Sequence, residues 1–304
     1  MALVLGTNDN DTLLGTEAAD TIHAFAGDDT AFGRGGNDLI TGGLGRDRLF
    51  GEAGNDVLDG RQGDDTLDGG AGKDTVLYTN APGPVTVDLG RGTASGAFGN
   101  DVLIGIEDAI GGKAGDTLIG SAANNGFLGK EGDDTLRGLD GNDHLDGDFG
   151  NDTLDGGSGT DTISYYADVT VDLAAGTATS WYSGDDALIS IENVLGGSSN
   201  TIYGSAADNR LVGGDLTDLL DGRDGNDVLE GRFGNDTLLG GNGNDRLIGS
   251  DGDDFIRGGN GNDFVDGGQG NDELNDDEGN DTLIGGVGDD RVYAVGTGDD
   301  TALG

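Results

Sequence analysis

The side chains able to do chemistry in this sequence are nearly all carboxylates, and they recur at a fixed interval. Between residues 222 and 293 the chain reads GRDGNDVLE GRFGNDTLL GGNGNDRLI GSDGDDFIR GGNGNDFVD GGQGNDELN DDEGNDTLI GGVGDDRVY. These are eight nine-residue frames without an insertion. Glycine holds the fourth place, aspartate the sixth, and Leu, Ile or Val the eighth. Carboxylates repeated in one phase, beside glycine turns that offer backbone carbonyls, make an all-oxygen ligand set suited to calcium. Magnesium demands tighter octahedral geometry and sheds water reluctantly, and zinc or copper would want His or Cys. The chain has two His and no Cys. His23 falls at the ninth place of its frame and His144 at the seventh, both expected to face outward as isolated imidazoles. No H-E-x-x-H, G-x-S-x-G or P-loop motif is present, and the regularity of the acidic pairs serves turns rather than a glycosidase pair.

The period that sets the carboxylates also sets the elements that must position them. A strict nine-residue repeat marks a solenoid. Each frame holds a glycine-rich turn and a short strand around its aliphatic residue. Two frames back to back form one coil of eighteen residues, with eighth-place side chains from both strands pointing inward. Coils stack at the β spacing of about 4.8 Å. The resulting seam includes Leu229, Leu238, Leu247, Ile256, Val265, Leu274, Leu283 and Val292. One buried Leu stabilises by about 2 kcal/mol, whereas ordering nine residues costs on the order of 10 kcal/mol in backbone entropy. The seam alone loses. Stacking also aligns aspartates two frames apart, such as Asp227, Asp245 and Asp263, and each neighbouring pair repels by about 3 kcal/mol at an effective dielectric near 20. A divalent cation between turns converts those repelling carboxylates into ligands.

The same frames recur elsewhere. The chain divides into a first repeat block at residues 1–77, a spacer at 78–110, a second block at 111–164, a spacer at 165–194, and a third block at 195–304. The blocks hold 25 frames, 22 with Asp at the sixth place, so one divalent cation per such frame would balance the net charge of −44. Each block begins irregularly: the fourth-place glycine is replaced by Asp9 and Ala18, by Ala114 and Ala123, and by Ser198, Ala207 and Leu216. A non-glycine residue resists positive φ, so these lead-in turns are expected to cap the stack with weak or no metal sites. The spacers resemble each other. VTVDL at 85–89 recurs at 169–173, GTAS at 92–95 as GTAT at 176–179, and IED at 106–108 as IEN at 191–193. Alternation in VTVDL and the glycine steps after it predict hairpin strands. No long 3.6-residue periodicity appears. The expected fold is all-β, a parallel β-roll or β-helix solenoid of three blocks separated by two β-hairpin-like spacers.

The frame G-G-x-G-x-D-x-U-x, with U a large aliphatic, resembles the RTX family of haemolysin-type calcium-binding repeats. The resemblance implies that each ion is held between neighbouring turns by sixth-place aspartates and turn carbonyls. That role carries to frames with both the fourth-place Gly and the sixth-place Asp. In the first block these are Gly27 and Asp29, Gly36 and Asp38, Gly45 and Asp47, Gly54 and Asp56, Gly63 and Asp65, and Gly72 and Asp74. In the second they are Gly132 and Asp134, Gly141 and Asp143, Gly150 and Asp152, and Gly159 and Asp161. In the third they are Gly225 and Asp227, Gly234 and Asp236, Gly243 and Asp245, Gly252 and Asp254, Gly261 and Asp263, Gly270 and Asp272, Gly279 and Asp281, and Gly288 and Asp290. The resemblance also implies a secreted, extracellular protein that leaves through type I secretion machinery by an uncleaved C-terminal signal. The chain reaches Gly304 inside a further frame, GDDTALG, without the usual tail, so a piece of a longer protein is one expectation.

Composition narrows the partners. With 65 Gly, 1 Trp and a net charge of −44, the chain would read as disordered by composition alone. Its charge opposes nucleic acid and anionic membrane and favours multivalent cations. No apolar run approaches the roughly 20 residues of a membrane span, and the N-terminus lacks the basic flank and apolar length of a secretory signal. Frequent seventh-place Thr lacks the second column that an ice-binding face needs. The spacer aromatics Tyr78, Phe98, Tyr165, Tyr166, Trp181 and Tyr182 are read as packing the spacers on the solenoid flank, with a carbohydrate or protein platform as the alternative. The leading reading is a calcium-binding secreted β-roll, not an enzyme, that calcium folds after export. The alternatives are the repeat region of a longer exported enzyme or toxin (protease, lipase, haemolysin or epimerase), and a calcium-stiffened adhesin or surface spacer.

Overall fold

A computed structural model describes residues 2–303, which contain strands and turns and no helix. Each regular frame gives one six-residue strand that starts at the seventh place and runs through the third place of the next frame, as in Thr237–Asn242. The turn then takes places four to six. Within the strand the eighth place and the following first place face inward. One carries the aliphatic side chain and the other glycine, so the coil is thin.

The pairing register is eighteen residues, as the two-frame coil requires. In one sheet Leu229 pairs with Leu247, Leu247 with Val265 and Val265 with Leu283. In the other Leu220 pairs with Leu238, Leu238 with Ile256 and Ile256 with Leu274. All these strand pairs are parallel, and the paired side chains are fully buried. Val292, at the far end of the expected seam, is half-buried. The second place also takes left-handed backbone, at Arg232 (φ 78°) and Ser250 (φ 83°) as at Gly241 (φ 113°). This explains the glycine pair that opens the motif; the sequence reading assigned positive φ to the fourth place alone.

The described chain forms two compact units, residues 1–159 and 160–304. In the first, one sheet is wholly parallel and passes from Thr75–Leu77 to Asp108–Ile110 and on to Gly126–Glu131. The other sheet reaches the spacer at Thr66–Ala71, which pairs in parallel with Gly99–Ile104. An antiparallel meander follows, Gly99–Ile104 to Thr93–Gly96 to Val85–Asp88. Val85–Asp88 then pairs in parallel with Thr117–Ile119. The second unit repeats the device: Gly184–Ile189, Thr177–Ser180 and Val169–Asp172 form the meander, and Val169–Asp172 pairs in parallel with Asn200–Tyr203. Each spacer thus holds two β-hairpins that share a middle strand, in keeping with the hairpin-like expectation. Its third strand is a concealed frame: Gly99, Asn100, Asp101 and Leu103 stand as places four, five, six and eight, with Gly99 at φ 139°.

Because the seam is one residue wide in each sheet, truncation leaves a cavity with few side chains able to relax into it. Leu247→Ala is expected to lower the stability of the calcium-loaded chain by about 3 kcal/mol, read as a shift of the guanidinium midpoint at constant slope.

Candidate metal centres

Two columns of sixth-place aspartates run along the coils, one at each turn. Every proposed ligand aspartate is buried except Asp290, which is half-buried at the end of the stack. Their two oxygens do different work. Oδ1 accepts the backbone N–H of the aspartate one coil earlier: Asp227 N–H donates to Asp245 at 2.8 Å, Asp245 to Asp263 at 2.8 Å, and Asp236 to Asp254 at 2.8 Å. The first block has the same ladder, Asp29 to Asp47 at 2.9 Å and Asp38 to Asp56 at 2.7 Å. Oδ2 is left over. In Asp29, Asp38, Asp47, Asp56, Asp65, Asp74 and Asp134 of the first unit it is buried with no hydrogen-bond partner. The same holds for Asp227, Asp236, Asp245, Asp254, Asp263 and Asp272 of the second. Uncompensated burial of a polar atom costs 1–3 kcal/mol, more when it is charged, so these rows point to a bound cation.

The glycines keep the space around those oxygens open. Every fourth-place glycine named above has positive φ, between 100° at Gly36 and 156° at Gly279. A Cβ at Gly243 would land on the Gly225 carbonyl oxygen of the neighbouring coil. The first place matters as well, which the sequence reading did not use: a Cβ at Gly240 would sit 2.6 Å from Asp245 Oδ2. The fifth place also joins neighbouring turns. Asn262 N–H donates to Asn244 Oδ1 at 2.8 Å and Asn280 N–H to Asn262 Oδ1 at 2.9 Å, so adjacent turns are bonded in both directions.

The lead-in frames differ at the same atoms. Asp11 Oδ2 and Asp20 Oδ2 accept the second-place N–H of Thr7 and Thr16, each at 2.6 Å. Asp218 Oδ2 accepts the N–H of Gly214 at 2.6 Å. Asn125 and Asn209 go further. Each takes the second-place N–H on Oδ1 (2.8 and 2.7 Å) and donates Nδ2 to a backbone carbonyl, that of Glu107 or Glu192. With the fourth-place glycine gone, the turns at Asp11, Asp20, Asn125, Asn209 and Asp218 close on their own sixth-place side chain; Asn200 differs, its Oδ1 being buried with no donor.

Spacer residues continue the ladder where frames are missing. Asp65 N–H donates to Asp101 Oδ1 at 3.0 Å, and the Tyr78 hydroxyl donates to Asp101 Oδ2 at 2.8 Å. Asp74 N–H donates to Glu107 Oε2, and Asp161 N–H to Glu192 Oε2, both at 2.9 Å. The Tyr165 hydroxyl donates to Asp186 Oδ2 at 2.7 Å. Sequence reasoning missed these acceptors, although GND and IED in the first spacer and GDD and IEN in the second carry the signal. Tyr78 and Tyr165 are buried, as the packing reading expects, whereas Tyr166, Trp181 and Tyr182 are exposed, Trp181 by 83%.

A parallel coil of eighteen residues, with glycine turns and buried carboxylate oxygens that lack donors, defines a metal-binding β-roll. The family model described as the RTX calcium-binding nonapeptide repeat (four copies) matches residues 5–40, 41–76 and 128–163, and in overlapping copies residues 195–302. These matches cover more than half of the chain, and the chain belongs to that family. No curated protein matches it. The matched stretches leave out the spacers and the lead-in frames of the second block.

Burial pushes the column carboxyls up, against the N–H bonds they accept, and neighbouring carboxylates add to the rise for most of them. Asp47, Asp56 and Asp263 are raised to about 6, Asp65, Asp227, Asp236 and Asp254 to about 7, and Asp134 to about 8. The metal-free coil therefore binds more protons than the unfolded chain, whose aspartates titrate near 3.9. Its stability is fullest below that value and is lost as pH rises through about 6 to 8. In chelator, far-UV circular dichroism is expected to show β structure gained on acidification towards pH 4 and lost on return to pH 8.

Proposed function

We propose that this chain is a secreted calcium-binding β-roll that calcium folds after export, with no catalysis of its own. The observation that carries the reading is the row of buried Oδ2 atoms without donors, confined to frames that keep the fourth-place glycine. Calcium supplies positive charge between turns, where the surrounding atoms are carboxylate and carbonyl oxygens. The fourth-place glycines and sixth-place aspartates named above are the proposed ligand frames. Asp Oδ1 ties successive turns through backbone N–H groups, Oδ2 stays available to the ion, and glycine leaves the turn carbonyls uncovered.

Below micromolar calcium the columns repel and the thin seam cannot hold the coil. The chain then stays extended and suited to passage through type I secretion machinery. At millimolar external calcium the same carboxylates become the strongest contacts in the fold. The buried columns commit most of the regular acidic residues to turns, which supports a role in binding rather than catalysis. The second spacer offers a face for a carbohydrate or protein partner. There Trp181 stands exposed beside a groove of about 660 Å³ lined by Thr170, Thr179, Ser180, Asp185 and Thr201.

Calcium added to chelated protein is expected to produce a cooperative coil-to-β transition by far-UV circular dichroism at about 0.1–1 mM, with none from magnesium. A β spectrum indifferent to chelator would overturn the reading. Asp245→Asn keeps an Oδ1 acceptor for Asp227 N–H while removing one charge. It is expected to raise the calcium midpoint by about threefold or more and to make the chelated chain less disordered at pH 8.

A further inference from the structure

In the frame at residues 276–284 the first place is Asp276, where the flanking frames have Gly258, Gly267 and Gly285. First-place backbone faces the interior, so the extra side chain is carried inward and is 1% exposed. Carboxylate oxygens of Asp263, Asp276 and Asp281 all lie within 4.8 Å of one another. Asp263 and Asp281 are successive members of one column, joined by the Asp263 N–H to Asp281 Oδ1 bond at 2.9 Å. Among the described residues this is the one group of three carboxylates so close together. Asp276 Oδ1 accepts N–H bonds from Asp277 at 2.8 Å and Gly259 at 3.2 Å, which fixes the group. Its Oδ2, like that of Asp263, is buried and accepts nothing. Arg257 pairs with Asp277, and among the described residues no ion pair reaches Asp263, Asp276 or Asp281.

We propose that Asp263, Asp276 and Asp281 form a three-carboxylate cation site, distinct from the two-carboxylate turns, that fills first with calcium and favours a trivalent cation of calcium's size. The inference rests on the reading that the columns hold cations. A third carboxylate adds a full charge at contact range, where attraction scales with the product of charges, and ligand charge count with rigidity sets affinity at oxygen sites. Calcium leaves this trio with one uncompensated negative charge, and a lanthanide ion balances it. An ordinary turn gains no such advantage from the third charge. Asp276 thus turns one repeat of a uniform array into its highest-affinity position.

The test adds terbium to the full calcium-loaded chain and reads sensitised emission. Tyr293 is the antenna, since it pairs with Asn275 on the adjoining strand. The first equivalent of terbium is expected to bind at this site with emission that Tyr293→Phe reduces while calorimetry shows unchanged affinity. Asp276→Asn keeps the acceptor for the two N–H groups and removes the charge, and should weaken that first step by about tenfold or more. Asp276→Gly, which restores the residue of the flanking frames, should match it. Both variants are expected to fold in calcium by circular dichroism. An unchanged first step in Asp276→Asn overturns the site while leaving calcium-driven folding intact. Absence of calcium-induced β structure in the wild type would instead remove the broader reading.

Discussion

Like charge stacked in a buried column is the constraint that the rest of this fold answers to. Parallel pairing at an eighteen-residue register places one aspartate above another at every coil, and the interior they enter holds little besides a single file of aliphatic side chains. Hydrogen bonding solves half the difficulty, since Oδ1 of each aspartate takes the N–H of the one before it. Oδ2 remains, with burial and neighbouring carboxylates both disfavouring its ionised form. An aspartate that tightens the backbone ladder therefore also raises the demand for positive charge. One side chain thus meets the backbone ladder through one oxygen and leaves the other open between the coils.

Glycine makes that arrangement sterically available, and its three places do different things. The fourth takes left-handed backbone against the carbonyl of the neighbouring coil. The second bends the strand, at some cost where Arg232 or Ser250 stands instead. The first keeps room beside Oδ2. Where the fourth-place glycine is lost the turn changes its hydrogen bonding and closes on its own sixth-place side chain, as at Asp20 and Asp218. At these aspartates the loss of one glycine closes the oxygen that the regular frames leave open.

The spacers preserve the stack by imitating it. Gly99–Ile104 supplies a fourth-place glycine, a sixth-place aspartate and an eighth-place leucine, and as the last strand of the meander it pairs in parallel with the preceding coil. Its Asp101 meets the column on one oxygen and Tyr78 on the other, so the hydroxyl group ends there the row of open oxygens. The same pairing of Tyr165 with Asp186 in the second unit follows from the internal likeness of the two segments.

The nine-residue period was sufficient, by itself, to establish strand and turn, the eighteen-residue coil, the inward face and the phase of the carboxylates. Those properties depend on alternation and local φ preferences, which residue type and spacing express directly. The composition also dictated a glycine-rich, strongly acidic chain with few aromatic residues. Other features depended on contacts between residues eighteen or more apart. They include the division of labour between Oδ1 and Oδ2, the fifth-place Asn ladder, the capture of Asp101 by Tyr78 and the entry of Asp276 beside Asp263 and Asp281. In the sequence Asp276 is one acidic residue among 59 Asp and Glu. Only the stacked coil, by turning the first place inward, makes it the third carboxylate of a buried group.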